Sequence, residues 1–276
     1  MDLISYGDSI PEGDYRLHSA FEHAVNFRKG RLIISLVSPG AGAGPVNLVV
    51  KQIPAGARRF RATKFAFYVD DNRLRKAPAA MYDSSVPELD AEPALVRENI
   101  KTLKVFFAVS APPRSMRFVF DPDAELEFRR VFERKMLSRM KKAVGLLSAE
   151  AYAAGAKMMR GLGFGLTPSG DDFLSGMLAG LSFARKGLRL NTEKAALAVY
   201  KNSEGGNLIS NTFLRCSYEG MVTLKIKRLM LALCGSRKRE LLSAAADAFK
   251  SGHTSGADFC AGLVFAIQEA LKEDSR

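Results

Sequence analysis

Cysteine is scarce in this sequence, and its spacing argues against the chemistry that cysteine usually supports. The chain of 276 residues has three cysteines, Cys216, Cys234 and Cys260, and none of them forms a CxxC pair. An odd number of widely spaced cysteines favours neither a disulfide framework nor a cysteine zinc site. All three lie in apolar segments with a helix-like pattern, where free cysteine is typically a small buried hydrophobic residue. Unpaired thiols fit a reducing compartment, so we expect a cytoplasmic protein.

Long apolar runs are also missing. No uninterrupted hydrophobic stretch approaches the ~20 residues that a membrane span requires. The opening segment, MDLISYGDSIPEGD, carries acidic residues where a signal peptide has a basic region followed by an apolar one. With 47% hydrophobic and 25% charged residues, the composition is typical of a folded globular protein. The sequence therefore predicts neither secretion nor a membrane partner.

Acidic side chains are fewer than basic ones. Lys and Arg number 41 against 29 Asp and Glu, which gives a formal net charge of +12 at pH 7. No helix-turn-helix, zinc finger, aromatic RNA-binding motif or disordered basic tail accompanies this charge, which argues against a nucleic-acid partner. The excess favours attraction of a small anionic substrate or of an acidic partner protein.

The pattern of hydrophobic residues changes near Asp121. Before it, short β-branched and aromatic runs alternate with turn residues, which indicates strands. The predicted strands are 31–37, 46–53 and 58–69. After Asp121, apolar residues recur at spacings of three and four, which is typical of amphipathic helices. We therefore expect an α+β protein with a mainly β domain over 1–121 and an α-helical bundle over 122–276.

The helical region has recognisable starts and short connections. Asp121 is the expected N-cap of its first helix, with Pro122 at the first position, and Ser148 is the expected N-cap of the second. Because the connections are short, neighbouring helices should pack antiparallel. The later predicted helices are about 170–185, 191–201, 208–218, 221–234, 236–250 and 256–272.

The strongest local signal is a glycine-rich segment that is repeated in part near the C-terminus. The first copy reads GLGFGLTPSGDDFLSG over 161–176, and the second reads GHTSGADFCAG over 252–262. Both contain S-G-x-D-F-x-x-G, with five identical positions in eight, where a loop meets a predicted helix. A fainter relative is Ser210-Asn211-Thr212. We therefore expect an internal helical repeat within the bundle.

Two interpretations of the repeated motif are open at this point. Ser169 with Asp172, and Ser255 with Asp258, have the spacing of a capping box, so the motif can serve only to cap helices. Capping does not explain the glycines before the first copy. A loop without side chains at a helix start exposes N–H groups and the positive end of the helix dipole, which bind phosphate or carboxylate. The candidate substrate-binding residues are Gly163, Gly165, Thr167, Ser169, Gly170, Asp171, Asn211, Thr254, Ser255 and Gly256.

The aspartates of the two copies suggest a further use of the motif. Asp172 has its counterpart in Asp258, and the two carboxylates would converge if the repeats face each other. Such a pair can hold Mg²⁺ through waters or share a proton, and the sequence leaves both uses open. His253 lies in the second loop and is the best candidate for a general acid or base. The candidate catalytic residues are thus Asp172, Asp258 and His253, with the two aspartates as candidate Mg²⁺ ligands.

The glycine-rich segment resembles that of the AllH-like bacterial proteins. Members of this family carry a GLTPSGDD segment, a middle Ser/Thr-rich helix start and a later G-x-T-S-G-x-D segment. These are similar to 161–172, 210–212 and 252–258 of this chain. The N-terminal HSAFEHAVNF and the turn at Gly44-Pro45 are similar as well, whereas Phe164 stands where a small residue or proline is expected.

This resemblance implies a subunit of oxamate carbamoyltransferase, a multi-subunit enzyme of allantoin nitrogen catabolism. That enzyme interconverts carbamoyl phosphate plus oxamate with oxalurate plus phosphate. The implied partners are a small anionic substrate and further enzyme subunits. Two alternatives also fit the residues. One is a stand-alone Mg²⁺-dependent hydrolase with paired aspartates, and the other is a non-catalytic scaffold subunit whose glycine-rich site binds an anion.

Overall fold

A computed structural model of the chain describes residues 2–273. The chain divides into two compact units. The first contains the residues up to Ser85 together with Met221–Leu224, and the second contains Val86–Gly220 and the residues from Lys225 onward. Strands make up the first unit and helices the second, which confirms the α+β class. Residues 86–121 belong to the helical unit, whereas the division expected from the sequence has them in the β domain.

The first unit contains one mixed sheet. Its strands are β1 Leu3–Gly7, β2 Gly13–Phe21, β3 Ala24–Lys29, β4 Leu32–Val37, β5 Asn47–Val50, β6 Arg59–Ala62, β7 Ala66–Val69, β8 Asn72–Arg75 and β9 Met81–Tyr82. Their order across the sheet is β8-β7-β6-β2-β3-β4-β5-β1-β9. The pairs β4–β5 and β1–β9 are parallel, and the other pairs are antiparallel.

Aromatic side chains fill the core of this sheet. The rings of Phe60 and Phe67 stack with centroids 5.6 Å apart, and Tyr6 packs edge-on against Phe67 at 5.2 Å. Tyr6 lies in β1 and Phe67 in β7, far apart in the strand order, so the sheet curls around this aromatic core. Arg59 and Arg61 of β6 alternate with buried residues and face solvent, as the two-residue period of a strand requires.

The strands predicted over 31–37 and 46–53 are confirmed as β4 and β5. The run over 58–69 is a hairpin, β6 and β7, so predicting it as one strand was wrong. Thr63 makes the turn, because its hydroxyl accepts a hydrogen bond from the Ala66 N–H at 3.1 Å and its own N–H donates to the Ala66 carbonyl oxygen. No glycine or proline marks this turn in the sequence, which is why the aromatic run gave the impression of a single strand.

The second unit is helical. Its helices are α1 Pro93–Ser110, α2 Val131–Ser148, α3 Tyr152–Met159, α4 Ser169–Gly187, α5 Glu193–Ser203, α6 Leu208–Tyr218, α7 Leu224–Leu233, α8 Lys238–Phe249 and α9 Ser255–Glu273. The six helices predicted from about residue 170 onward correspond to α4 through α9. No helix in the described part of the chain has both the length and the apolar character needed to cross a membrane.

The start of α2 differs from the prediction. The Asp121 side chain accepts a hydrogen bond from the Asp123 N–H at 3.2 Å, but it caps a short 3₁₀ turn, Pro122–Glu127. The carboxylate of Glu133 accepts hydrogen bonds from the Arg129 and Arg130 N–H groups at 2.9 and 3.0 Å. These bonds satisfy the donors at the start of α2, so the helix begins at Val131. Ser148 then ends α2 and does not cap the next helix.

The two copies of the motif cross each other through their glycines. A Cβ atom added to Gly176 of α4 would lie 1.8 Å from the Phe259 carbonyl oxygen of α9. A Cβ atom added to Gly262 of α9 would lie 1.9 Å from the Phe173 carbonyl oxygen of α4. The glycine of each copy therefore accepts the backbone of the other copy's phenylalanine. This reciprocal contact confirms the internal helical repeat.

Side chains at these glycines should force α4 and α9 apart. We expect Gly176→Ala and Gly262→Ala each to lower the free energy of unfolding by at least ~1–3 kcal/mol, because the displaced atom is a backbone carbonyl oxygen. Gly145→Ala is the matched control, since Gly145 lies on an exposed turn of α2 and an added Cβ meets nothing within 4 Å. It should raise stability by about 0.5–1 kcal/mol. Urea unfolding measures all three, and equal effects at 145 and 176 would contradict the close crossing.

Candidate functional site

A loop rich in glycine connects α3 to α4. Gly161, Gly163 and Gly165 have φ values of +72°, +130° and +93°, a region that side chains disfavour. The N–H groups of residues 163–167 donate no hydrogen bond to any described residue. Gly163 also lies against the start of α4, where an added Cβ would be 2.3 Å from the Ser169 nitrogen. The loop therefore leaves a set of N–H groups uncovered at a helix start.

Three helix starts meet at this loop. Asn207 caps α6 by accepting hydrogen bonds from the Ile209 and Ser210 N–H groups. Its amide group donates to the Leu166 carbonyl oxygen at 2.6 Å. Ser255 begins α9, and its hydroxyl oxygen lies 3.0 Å from that of Thr167, just before α4. The positive ends of the α4, α6 and α9 dipoles therefore meet around the loop.

The first copy of the motif differs from the second by an insertion in this loop. The Gly170 N–H donates to the Leu162 carbonyl oxygen, and the Gly256 N–H makes the equivalent bond to the Ser251 carbonyl oxygen. The first bond spans three more residues than the second, and the extra residues are Phe164-Gly165-Leu166. The side chains of Phe164 and Leu166 are 45% and 48% exposed. The site loop is thus a feature of one copy only.

Asp172 and Asp258 are buried on the inner side of this loop. The Thr167 hydroxyl donates a hydrogen bond to Oδ2 of Asp172 at 2.9 Å. Burial, followed by the charge of Asp258, raises the pKa of Asp172 well above its usual value. The hydroxyl of Ser255 and that of Thr167 oppose this rise, and the charge of Asp171 adds to it.

The carboxylate of Asp258 is completely buried. Its Oδ1 accepts a hydrogen bond from the Met116 N–H at 2.6 Å. The Ser169 and Thr254 hydroxyl groups lie near it and favour the ionised form. Neither has hydrogen-bond geometry at Oδ2, which accepts no hydrogen bond within the described residues. Burial outweighs these contacts and raises the pKa of Asp258 to about 7. At neutral pH, one of the two carboxyl groups therefore holds a proton.

Each of these two aspartates lies beside the serine of the other copy of the motif. Ser255 of the second copy lies beside Asp172 of the first, and Ser169 of the first copy lies beside Asp258 of the second. Ser169 does not cap its own helix, because Pro168 is the N-cap of α4 and makes no side-chain capping bond. The capping interpretation is therefore wrong for the first copy.

Other predicted site residues hold the surrounding backbone. Asp171 accepts a hydrogen bond from the Gly161 N–H at 2.7 Å, and burial raises its pKa. The Asn211 amide bonds to both the N–H and the carbonyl oxygen of Gly205, at 2.9 Å each. His253 is exposed and has no hydrogen bond to a described residue. The roles of Asp171, Asn211 and His253 in substrate binding or catalysis stay predictions.

Two groups at the site were not predicted from the sequence. Asn207 stands directly before α6, and the preference for Asn at N-caps was the signal that could have found it. Met116 contributes only its N–H, from a 3₁₀ turn far away in the chain. A backbone donor carries no residue-type signal, so no pattern in the sequence could have indicated Met116.

A metal at this site would have few protein ligands. Among the described residues, no group of three or more His, Cys, Asp or Glu side chains could hold a metal ion. Asp172 and Asp258 would supply two carboxylates, and Mg²⁺ commonly takes its remaining ligands from water and substrate oxygens. Their donor chemistry fits that pattern, and Mg²⁺ binding stays a prediction.

The raised pKa of Asp258 makes stability depend on pH. The folded protein holds this proton up to about pH 7, whereas an unfolded Asp releases it near pH 4. The folded state therefore binds more protons between these values, and stability falls as pH rises through that window. We expect Asp258→Asn to remove a slope that approaches roughly 1.4 kcal/mol per pH unit between pH 5 and pH 6 and falls to about half of that near pH 7.

Urea unfolding in a buffer with chelator, at several pH values, measures this slope. Asp71→Asn at an exposed turn is the matched control, and it should keep the wild-type slope. An unchanged slope in Asp258→Asn would contradict a protonated Asp258 in the folded protein.

Comparison with known proteins adds one finding at this site. Residues 159–267 match the family model described as "Oxamate carbamoyltransferase subunit AllH". No curated protein and no solved structure matches the chain. The matched range runs from the end of α3 into α9 and contains both copies of the motif. It confirms the resemblance that the glycine-rich segment carries: the region holding the candidate site is similar to a family described as a carbamoyltransferase subunit.

Proposed function

We propose that the chain is a subunit of a carbamoyltransferase-related enzyme that binds a small anion where α4, α6 and α9 begin. The observation that carries this proposal is the meeting of three helix starts at Leu166 and Thr167. Unpaired N–H groups and aligned dipoles at one helix start already favour an anion. Here three helix starts lie around one loop with uncovered N–H groups, so their N–H groups and dipoles favour an anion at the same place.

Oxamate, which the family description names, and carbamoyl phosphate, which the resemblance implies, both suit such a site. Oxamate carries a carboxylate, and carbamoyl phosphate carries a phosphate group. Both groups accept several hydrogen bonds, and backbone N–H groups of the loop can donate them without a competing side chain. We therefore propose carbamoyl phosphate, oxamate or a close relative as the ligand of residues 163–170, with Ser255 at the facing helix start.

The buried carboxyl groups are compatible with an anion only when they are not both ionised. Two ionised carboxylates would repel the ligand, whereas their raised pKa values keep a proton at the pair. Asp172 contacts the Thr167 hydroxyl, which in turn lies beside the Ser255 hydroxyl. This chain of polar groups leads from the buried pair to the loop. We propose that it holds or delivers a proton next to the bound anion.

Carbamoyl transfer also requires stabilisation of charge on the carbamoyl oxygen. Attack on the carbonyl carbon moves negative charge onto that oxygen in the transition state. Preorganised N–H groups can stabilise such an oxyanion, because they do not have to reorient during the reaction. The uncovered N–H groups of Gly163 and Gly165 are the candidates for this role.

The surroundings of the site favour partner subunits in a reducing compartment. Phe164 and Leu166 expose apolar surface beside the site, and a further subunit of the enzyme can cover it.

Cys216, Cys234 and Cys260 are all free thiols. We therefore propose a cytoplasmic, multi-subunit enzyme of allantoin nitrogen catabolism.

Glycine variants provide the direct test of the anion site. In Gly163→Ala the new Cβ would cover the Ser169 N–H, so we expect the affinity for carbamoyl phosphate or oxamate to fall at least about tenfold. Gly161→Ala is the matched control, because its φ is also positive and its added Cβ meets nothing within 4 Å. Isothermal titration of wild type and both variants, each with and without Mg²⁺, measures the affinities.

The same titrations, extended to Asp172→Asn, and the turnover of the reconstituted complex separate the alternatives. Equal affinities in all three proteins would contradict anion binding at the loop. Binding that requires Mg²⁺ and is lost in Asp172→Asn would support the magnesium-dependent hydrolase instead. If anions bind but Gly163→Ala leaves turnover of the reconstituted complex unchanged, the chain is a non-catalytic anion-binding subunit.

A further inference from the structure

The first unit contains a groove lined with arginine that plays no part in the site described above. The groove has a volume of about 750 Å³. We call it the arginine groove, and it is lined by Arg16, Leu17, Gly56, Arg58, Arg59 and Asp70. All of them belong to the β unit. A volume of this size is ordinary for a small-molecule site, for which roughly 300–1,000 Å³ is typical.

The strand register brings like charges together on the solvent side of the sheet. Arg16 of β2 is paired with Arg28 of β3 on one side and with Arg59 of β6 on the other. Neighbouring strands are about 4.8 Å apart, so these three arginines occupy adjacent positions on the sheet. Like charges directly opposite each other destabilise a sheet. A bound anion would remove that repulsion.

The groove has fewer negative than positive groups. Asp70 provides its carboxylate, but that carboxylate accepts hydrogen bonds from the backbone N–H groups of Arg58 and Arg59, at 3.2 and 3.0 Å. Within the described residues, the guanidinium groups of Arg16, Arg58 and Arg59 form no ion pair with it or with another carboxylate. Three positive charges therefore face one negative charge, and the remaining excess matches a dianion.

We propose that the arginine groove binds a compact phosphate dianion, either inorganic phosphate or the phosphate group of a small monoester. Guanidinium groups form paired hydrogen bonds with phosphate oxygens, which a single point charge cannot do. Leu17 is 42% exposed and forms an apolar wall. Gly56, with φ +73°, adds no side chain to the lining, and the space next to its Cα is open, because an added Cβ would meet nothing within 4 Å. The groove thus has room for the organic part of an ester next to its arginines.

Protection from arginine modification tests this proposal on the wild-type protein. Phenylglyoxal modifies exposed arginines, and mass spectrometry of the peptides reports each position separately. Inorganic phosphate and phenyl phosphate should protect Arg16, Arg58 and Arg59 while leaving Arg73 and Arg75 of β8 reactive. Because the readout is residue by residue, phosphate bound at the helix starts of the other unit does not affect the result.

A pair of double variants gives the affinity. Arg16→Ser/Arg59→Ser should weaken phenyl phosphate binding in the Gly163→Ala background about tenfold or more. Arg73→Ser/Arg75→Ser removes the same charge outside the groove and should leave the affinity for phenyl phosphate unchanged. Leu17→Ser should weaken binding of the ester but not of inorganic phosphate, if the ester is the ligand.

Three results would overturn the proposal. The first is phosphate at saturating concentration giving no protection of the groove arginines. The second is an equal loss of affinity in the two double variants. The third is protection of Arg16, Arg59, Arg73 and Arg75 alike by a short single-stranded DNA at lower concentration than by phosphate, since this result assigns the whole basic face to nucleic acid.

Discussion

The close crossing of α4 and α9 determines where the candidate site can form. Gly176 and Gly262 let each helix receive a backbone carbonyl oxygen from the other, which brings the two helix axes together just beyond their starts. At that separation the hydroxyl groups of Thr167 and Ser255 come within 3.0 Å of each other. A larger side chain at either glycine would separate the helix starts, and with them the loop and both aspartates.

The same crossing creates the electrostatic character of the site. It removes Asp172 and Asp258 from water, and burial is the largest cause of the raised pKa of each. Hydroxyl groups and the Met116 N–H offset part of the desolvation, but Oδ2 of Asp258 stays without a hydrogen bond from any described residue. A buried polar atom left in this state is costly for folding. Functional sites commonly retain such groups, because a proton, a ligand or an ion can satisfy them.

The sequence was informative where function depends on residue type at fixed spacing. The repeat S-G-x-D-F-x-x-G identified both helix starts and the glycines of the crossing, because close packing and left-handed loops restrict those positions to glycine. It was uninformative where a backbone group acts, as at Met116, or where a distant side chain determines a local boundary, as Glu133 does for α2. Strands β2 and β3 were also missed, because their solvent face carries charged and polar residues such as Arg16 and Arg28, which weaken the usual strand signal.

Three helix starts form the proposed anion site around the glycine-rich loop. Backbone amide chemical shifts in a titration with carbamoyl phosphate test it most directly, because amides that donate to the ligand report their own positions. We expect the largest shifts to occur together at residues 163–170, at the start of α6 after Asn207, and at the start of α9 from Ser255. Shifts confined to the β unit, or spread over surface lysines and arginines with no saturation, would contradict it.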